Sequence, residues 1–202
     1  MTLFNTPLLT PFIRLIALCI AKVFRWKVPD NNPGIGKAVL IGAPHTSNWD
    51  FIWMLTGAII MRLEVNWIGK HTLFVFPFGP LMRYLGGTAI NRGASKNFVE
   101  AVVDQFNQSE KMMVVIAPEG TRSPVKKWKS GFYFMAHLSN VPIVMCYVDY
   151  KDKVIGIKEV LTTSGDAEKD IAHIQEAYAT VAGKIPHNYY GYKGSHKTSN
   201  IK

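Results

Sequence analysis

Acidic residues are in short supply. Lysine and arginine number 23 against 14 aspartates and glutamates, a formal net charge of +9 and a pI near 9.5. That balance points to a polyanionic partner: nucleic acid, an anionic membrane or a phosphorylated substrate. Cysteine is scarcer still. Cys19 and Cys146 both sit in apolar runs, which excludes a disulfide-stapled scaffold, leaves room for one bridge at most and suits a reducing environment. No uninterrupted apolar run reaches the roughly 18 to 20 residues of a membrane-spanning helix. The first basic residue, Arg14, lies inside an apolar stretch rather than before it, so no secretory signal is expected. Internal repeats and low-complexity runs are missing. So are His-Glu-x-x-His, paired Cys-x-x-Cys, a Walker lysine loop and a Gly-x-Ser-x-Gly elbow, and with them the metal, nucleotide and serine-hydrolase chemistries those motifs carry. Ser123-x-x-Lys126 has a β-lactamase spacing but lacks its companion motifs. No metal site is expected.

What remains is apolar. Hydrophobic residues make up 48% of 202, and mean hydropathy is slightly positive at +0.07. The chain is too apolar for disorder, is oily for a soluble enzyme, and is long enough for one domain of ordinary size or a large one. Residues 7–27 read as an amphipathic helix with Leu9, Phe12, Ile13, Ile16, Ile20, Val23 and Phe24 on one stripe. Arg14, Lys22, Arg25 and Lys27 lie mainly off it, with Trp26 at the basic end. An apolar face, basic flanks and a terminal Trp suit a helix lying in a membrane interface, with packing on the core as the competing reading.

Ala38–Ala43 reads as a buried strand, and Phe51–Leu63 as an apolar helix too short to span a bilayer. Val65–Gly69 suggests a second strand. Leu73–Pro80 is an aromatic, proline-broken piece whose rings are expected mostly in the core, leading into Leu81–Leu85. Gly86–Arg92 reads as a glycine turn and short strand, Ser95–Gln108 as an amphipathic helix, and Met112–Ala117 as a third buried strand. Ser130–Leu138 reads as a helix and Val141–Val148 as a strand that pairs with Lys153–Ile157 across the Tyr150-Lys151-Asp152 turn. A helix follows from Asp166 to Ala182. Strands alternating with helices predict an α/β fold with a mainly parallel sheet flanked by helices. The expected organisation is an N-terminal docking segment over 1–30, one domain over 31–186 and a loose basic tail over 187–202.

Two polar turns stand where buried strands end, and strand ends are where α/β proteins place their chemistry. The first holds His45 and, five residues on, Asp50. Histidine can take a proton near neutral pH, and an aspartate on its far nitrogen would fix the tautomer. Ser47-x-x-Asp50 also matches a capping box, which would give Asp50 a purely backbone role. The second turn is Glu119-Gly120-Thr121-Arg122. With Lys70 and Arg92 these residues suit transfer of an acyl group onto a phosphorylated alcohol, because arginine and glycine-turn N–H groups hold phosphate oxygens well. Each cation taken alone reads more readily as a solvated surface charge.

Four blocks then fall in register. The chain resembles the glycerolipid acyltransferase family that includes the bacterial lysophosphatidic acid acyltransferases. His45 to Asp50 resembles its first block, Lys70 with Phe76-Pro77-Phe78-Gly79 and Gly87 to Arg92 its second, Pro118 to Ser123 its third, and Val141-Pro142-Ile143-Val144 its fourth. Pro44 replaces a frequent asparagine, and Met145 stands in place of a second proline. The resemblance implies an α/β fold with an N-terminal membrane-docking helical region. It also implies an acyl-CoA or acyl-carrier-protein donor, a lysophospholipid acceptor and no bound cofactor. On this reading His45 is the catalytic base and Asp50 orients it. Lys70, Arg92, Glu119, Gly120, Thr121 and Arg122 bind substrate, and N–H groups near Gly120 hold the oxyanion. The expected location is peripheral, on the cytoplasmic face of the cell membrane, against an anionic surface. Lysophosphatidic acid is the leading acceptor, with a lyso-ornithine lipid or lysophosphatidylethanolamine as rivals. A non-catalytic binder of nucleic acid or lipid would use the same basic and aromatic residues, but gives no reason for a His-Asp pair beside Glu-Gly-Thr-Arg. No nucleic-acid partner is expected.

Overall fold

The computed structural model describes residues 2–90 and 95–193. Six strands form one sheet: β1 (Lys37–Gly42), β2 (Val65–Lys70), β3 (Gly87–Ile90), β4 (Met112–Ile116), β5 (Ile143–Asp149) and β6 (Val154–Leu161). Their order is β3-β2-β4-β1-β5-β6. All neighbours run parallel except β5 and β6, which form the expected hairpin. β1 is buried on both faces, which is why it reads as a continuous apolar run. Val39 and Ile41 pack with α4 (Ser95–Gln108), α5 (Gly131–Leu138) and α6 (Ala167–Ala177) on one face. Ala38 and Leu40 pack under α2 (Trp49–Ile60) on the other. A short helix, α3 (Gly79–Tyr84), leads into β3.

Helix α1 (Leu9–Val23) lies outside α2. It is shorter than the 7–27 expected because a Schellman motif closes it: Trp26 N–H bonds Ala21 O, Arg25 N–H bonds Lys22 O, and Arg25 takes φ +60. The inward residues are small, Ala17 and Ala21, while Leu9, Phe12, Leu15, Ile16 and Phe24 are exposed and Val23 is 75% exposed. The apolar stripe thus faces away from the domain. Trp26 corrects the expectation of an interfacial ring: it is buried, 4.6 Å from Trp53 and 5.1 Å from Tyr150 between ring centroids. Among the described residues no helix is long and apolar enough to cross a membrane.

Three further expectations need correction. Of the rings in the Leu73–Pro80 piece only Phe74 is buried; Phe76 is 90% exposed and Phe78 65%. Helix α6 stops at Ala177, not Ala182, because Tyr178 turns fully inward and its hydroxyl donates to Ile41 O and Cys146 O. The first part of the tail is packed rather than loose: Tyr189 is buried in the main core, and Lys193 N–H bonds Ala179 O.

Candidate active site

β4, β1 and β5 are adjacent and parallel, so their carboxyl ends share one sheet edge. The connection leaving β1 runs through α2 on one face, and the one leaving β4 runs through α5 on the other. The edge between them is a topological switch point, where open α/β sheets place ligands. Three loops meet there, carrying His45 to Asp50, Glu119 to Arg122, and Tyr150.

Asp50 lies in the first turn of α2 and is buried. Its Oδ2 accepts from the main-chain N–H of Thr46 (2.7 Å) and Ser47 (2.8 Å) and faces His45 Nδ1 at 3.2 Å. Its Oδ1 accepts the Tyr150 hydroxyl at 2.7 Å. The capping-box bond and the histidine contact therefore coexist on one carboxylate. Burial pushes the Asp50 carboxyl up, but the hydrogen bonds from His45, Tyr150, Ser47 and Thr46 outweigh it and leave the pKa below the usual 3.8. An ionised carboxylate only accepts, so Nδ1 carries the proton and Nε2 the lone pair. The His45 side chain is 29% exposed, which lets Nε2 meet a substrate proton.

Glu119 grips the same histidine from the other side. Its Oε1 accepts the His45 main-chain N–H at 3.0 Å, while Oε2 is buried with no partner. Burial pushes its pKa up to about 7 despite the His45 bond. At 6% exposure, Glu119 supports the loop from beneath rather than presenting a carboxylate to solvent. Gly120 turns the chain with φ +66, and a Cβ there would press on the Lys129 side chain. Its own N–H bonds Ala117 O at 3.0 Å and so is not the free one among the N–H groups near Gly120. The N–H groups of His45, Thr46 and Ser47 are likewise taken by the two carboxylates. Thr121 Oγ1 accepts from Ser123 N–H. Arg122 reaches across to donate to Asn48 Oδ1 just before α2. Lys70 ends β2, two strands from β1 at the same sheet edge. Arg92 lies outside the described residues.

Two features escaped the sequence reading. One is Tyr150, visible only as part of a hairpin turn. Its signal was its place directly after a strand parallel to β1. The other is the segment after α6. Ala182 O accepts Tyr150 N–H, and Ile185 N–H reaches Thr46 Oγ1 at 3.3 Å. Lys184 Nζ lies 4.7 Å from the centroid of the exposed Trp49 ring. Below His45 a largely apolar cavity of about 180 Å³ runs between α2 and the sheet, past Phe51, Met54 and Trp67 to Met61 and Val65. Among the described residues no three His, Cys, Asp or Glu side chains group as a metal site.

This arrangement holds a histidine in one tautomer at the mouth of an apolar slot, with the Arg122 and Lys184 side chains on Asn48 and Trp49 beside it. A family model described as Acyltransferase matches residues 24–149. Among solved structures, the chain is similar to the 1-acyl-sn-glycerophosphate (LPA) acyltransferase PlsC from Thermotoga maritima, with a TM-score of 0.59 and 17% identity over 83% of this chain and 76% of that one. No curated protein matches the chain.

Proposed function

We propose that this chain, which belongs to the acyltransferase family, moves a fatty acyl group from an acyl-CoA or acyl-carrier-protein thioester to the free hydroxyl of a lysophospholipid. Lysophosphatidic acid is the acceptor that best suits the rim. The observation that carries the reading is His45, held by Asp50 through Nδ1, at the mouth of the apolar cavity. His45 Nε2 takes the hydroxyl proton as the oxygen attacks the thioester carbonyl. The tetrahedral intermediate collapses, the C–S bond breaks, and the departing thiolate takes the proton back from the imidazolium. The acyl chain lies in the cavity beneath α2. Arg122, beside Asn48, binds the acceptor phosphate, with Lys70 and Arg92 as its partners in the matched blocks.

The reaction site sits on a membrane in this proposal. The outward stripe of α1 ends at Val23 and Phe24, and Phe24 packs edge-on against Trp53 of α2 at 5.7 Å. Exposed Trp49 and Ile52 continue the apolar surface on α2 toward His45. Such a surface, flanked by Lys22, Arg25 and Lys27, fits an anionic bilayer interface, here the cytoplasmic face with its thioester donors.

One assay tests both parts. Purified protein is mixed with anionic vesicles carrying lysophosphatidic acid and an acyl thioester, and sedimentation and free thiol are followed together. Wild type should sediment and release thiol. His45→Ala should sediment equally but lose about 10²- to 10⁴-fold in kcat. Thiol release by His45→Ala above a tenth of the wild-type rate would remove the base. Wild type left in the supernatant would remove the docking surface. Equal transfer to monoacylglycerol would remove the phosphate contact.

A further inference from the structure

The third loop at the sheet edge contains a residue that the mechanism above leaves idle. Tyr150 is fixed at both ends. Its main-chain N–H donates to Ala182 O at 2.9 Å, and its ring stands edge-on to Trp26, 5.1 Å away at 85°. Trp26 itself leans on Trp53 of α2. With backbone and ring both held, the hydroxyl is aimed at Asp50 Oδ1, the oxygen that His45, Thr46 and Ser47 do not use. The Asp50 carboxylate is thereby divided. Oδ2 serves the histidine and the loop, and Oδ1 is anchored from across the sheet edge by a residue one hundred positions away in the chain.

We propose that Tyr150 is a positioning residue for the transfer reaction, anchoring Oδ1 so that Asp50 keeps its plane and shares its charge before presenting it to His45. This rests on the reading of His45 as the base. Two consequences follow from removing the hydroxyl. The carboxylate gains a rotational freedom that it passes to the imidazole, so Nε2 is less often aligned with the substrate hydroxyl, which slows the chemical step. Its charge is also less dispersed, so the imidazolium is better stabilised and His45 gives up its proton at higher pH. The charged groups facing His45 are Asp50 from α2 and Glu119 from the loop after β4. The phenols of Tyr178 and Tyr189 act on Glu119 from behind, and Arg122 is turned to Asn48. Of these groups only Asp50 meets the Tyr150 hydroxyl, so a change there reaches His45 through Asp50.

Tyr150→Phe keeps the ring and its packing on Trp26. The expected result is a kcat about tenfold lower with KM unchanged. The acid limb of kcat/KM should move up by several tenths of a pH unit, with a matching move of the His45 ring titration followed by NMR. Placing 3-fluorotyrosine at position 150, a stronger donor, should move the limb the other way. Tyr84→Phe loses a hydroxyl contact to Thr6, remote from His45, and should move neither. An unchanged kcat and limb in Tyr150→Phe would overturn the proposal. So would a lower kcat with an unmoved limb and titration, which is the mark of a merely structural residue. So would shifts of one sign in the Phe and fluorotyrosine proteins. If His45→Ala is inactive while Tyr150→Phe behaves as wild type, only Tyr150 is overturned. If His45→Ala transfers normally, the base reading falls and takes this proposal with it.

Discussion

The two sides of His45 are built from the same functional group and do opposite things. Asp50 meets four donors: two main-chain N–H groups, the imidazole and the Tyr150 hydroxyl. Glu119 receives the His45 N–H on Oε1 and leaves Oε2 buried without a partner. Both are buried, yet Asp50 titrates below the usual carboxylate range and Glu119 near neutrality. Burial raises both carboxyls, and only Asp50 has enough donors to outweigh it. Asp50 can therefore stabilise an imidazolium during turnover. Glu119 can hold the loop in place whether or not it carries a proton.

The largest expected effect breaks the Asp50 side. Asp50→Asn replaces one of the two oxygens with an NH2. With the remaining oxygen on Thr46, Ser47 and His45, the charge that stabilises an imidazolium is gone. With it on Tyr150, the NH2 faces His45 and favours the Nε2–H tautomer, which cannot act as a base. Turnover should fall about a thousandfold or more while the fold survives. A drop in melting temperature with turnover kept would mean that Asp50 only caps α2.

Glu119→Gln tests the other side through pH rather than rate. A native pKa near 7 against an ordinary 4.5 means that the folded state binds more protons than the unfolded one between those values. This group therefore makes stability fall as pH rises through that window, and its full cost is present above pH 7. Asp50 has the opposite sign: its contribution is present above about 3.8 and is lost as pH falls through its lower native value. In denaturant titrations, the stability of wild type relative to Glu119→Gln should decline from pH 5 to pH 8, by a few kcal/mol. Any constant effect of the buried amide cancels in that slope. Parallel pH profiles for the two proteins would mean that Glu119 is ionised throughout.

Much of this site is legible in the order of residues along the chain. The apolar run into Pro44, the spacing of His45 and Asp50, and the Glu-Gly-Thr-Arg turn after a second apolar run are local signals. A parallel sheet brings the ends of such runs to one edge, and the family match over residues 24–149 bears out the resemblance those blocks carry. What is not legible depends on distant partners. Arg25 and Arg62 take the left-handed conformation after α1 and α2, where glycine is the usual signal. The apolar residues that follow, Trp26 and Leu63, are buried and drive both closures. The stripe on α1 is plain in its spacing, but its direction depends on α2 accepting Ala17 and Ala21. Tyr150 is one of eight tyrosines, distinguished only by where β5 ends. Which N–H groups near Gly120 are already taken, as that of Gly120 is by Ala117 O, depends on a turn geometry that the residue types do not fix.

The smallest expected effect separates the two sides without touching either carboxylate. Gly183 lies where the segment after α6 crosses the His45 loop. A Cβ there would stand 2.7 Å from Thr46 Cγ2, 2.8 Å from Thr46 Oγ1 and 3.2 Å from Pro44 Cγ. Thr46 is buried and accepts Ile185 N–H on Oγ1, so it has little room to yield. Overpacking of this kind costs about 1 to 3 kcal/mol. The push falls on the residue whose N–H holds Asp50 Oδ2 at 2.7 Å, while Glu119 bonds the preceding N–H, that of His45. Gly183→Ala should therefore lower the melting temperature and reduce kcat severalfold by disturbing Asp50. The stability slope between pH 5 and 8 that belongs to Glu119 should survive in this variant. Loss of that slope with kcat intact would place the strain on the Glu119 side. Loss of both would show that the loop moves as one body, so that the two carboxylates are coupled through it.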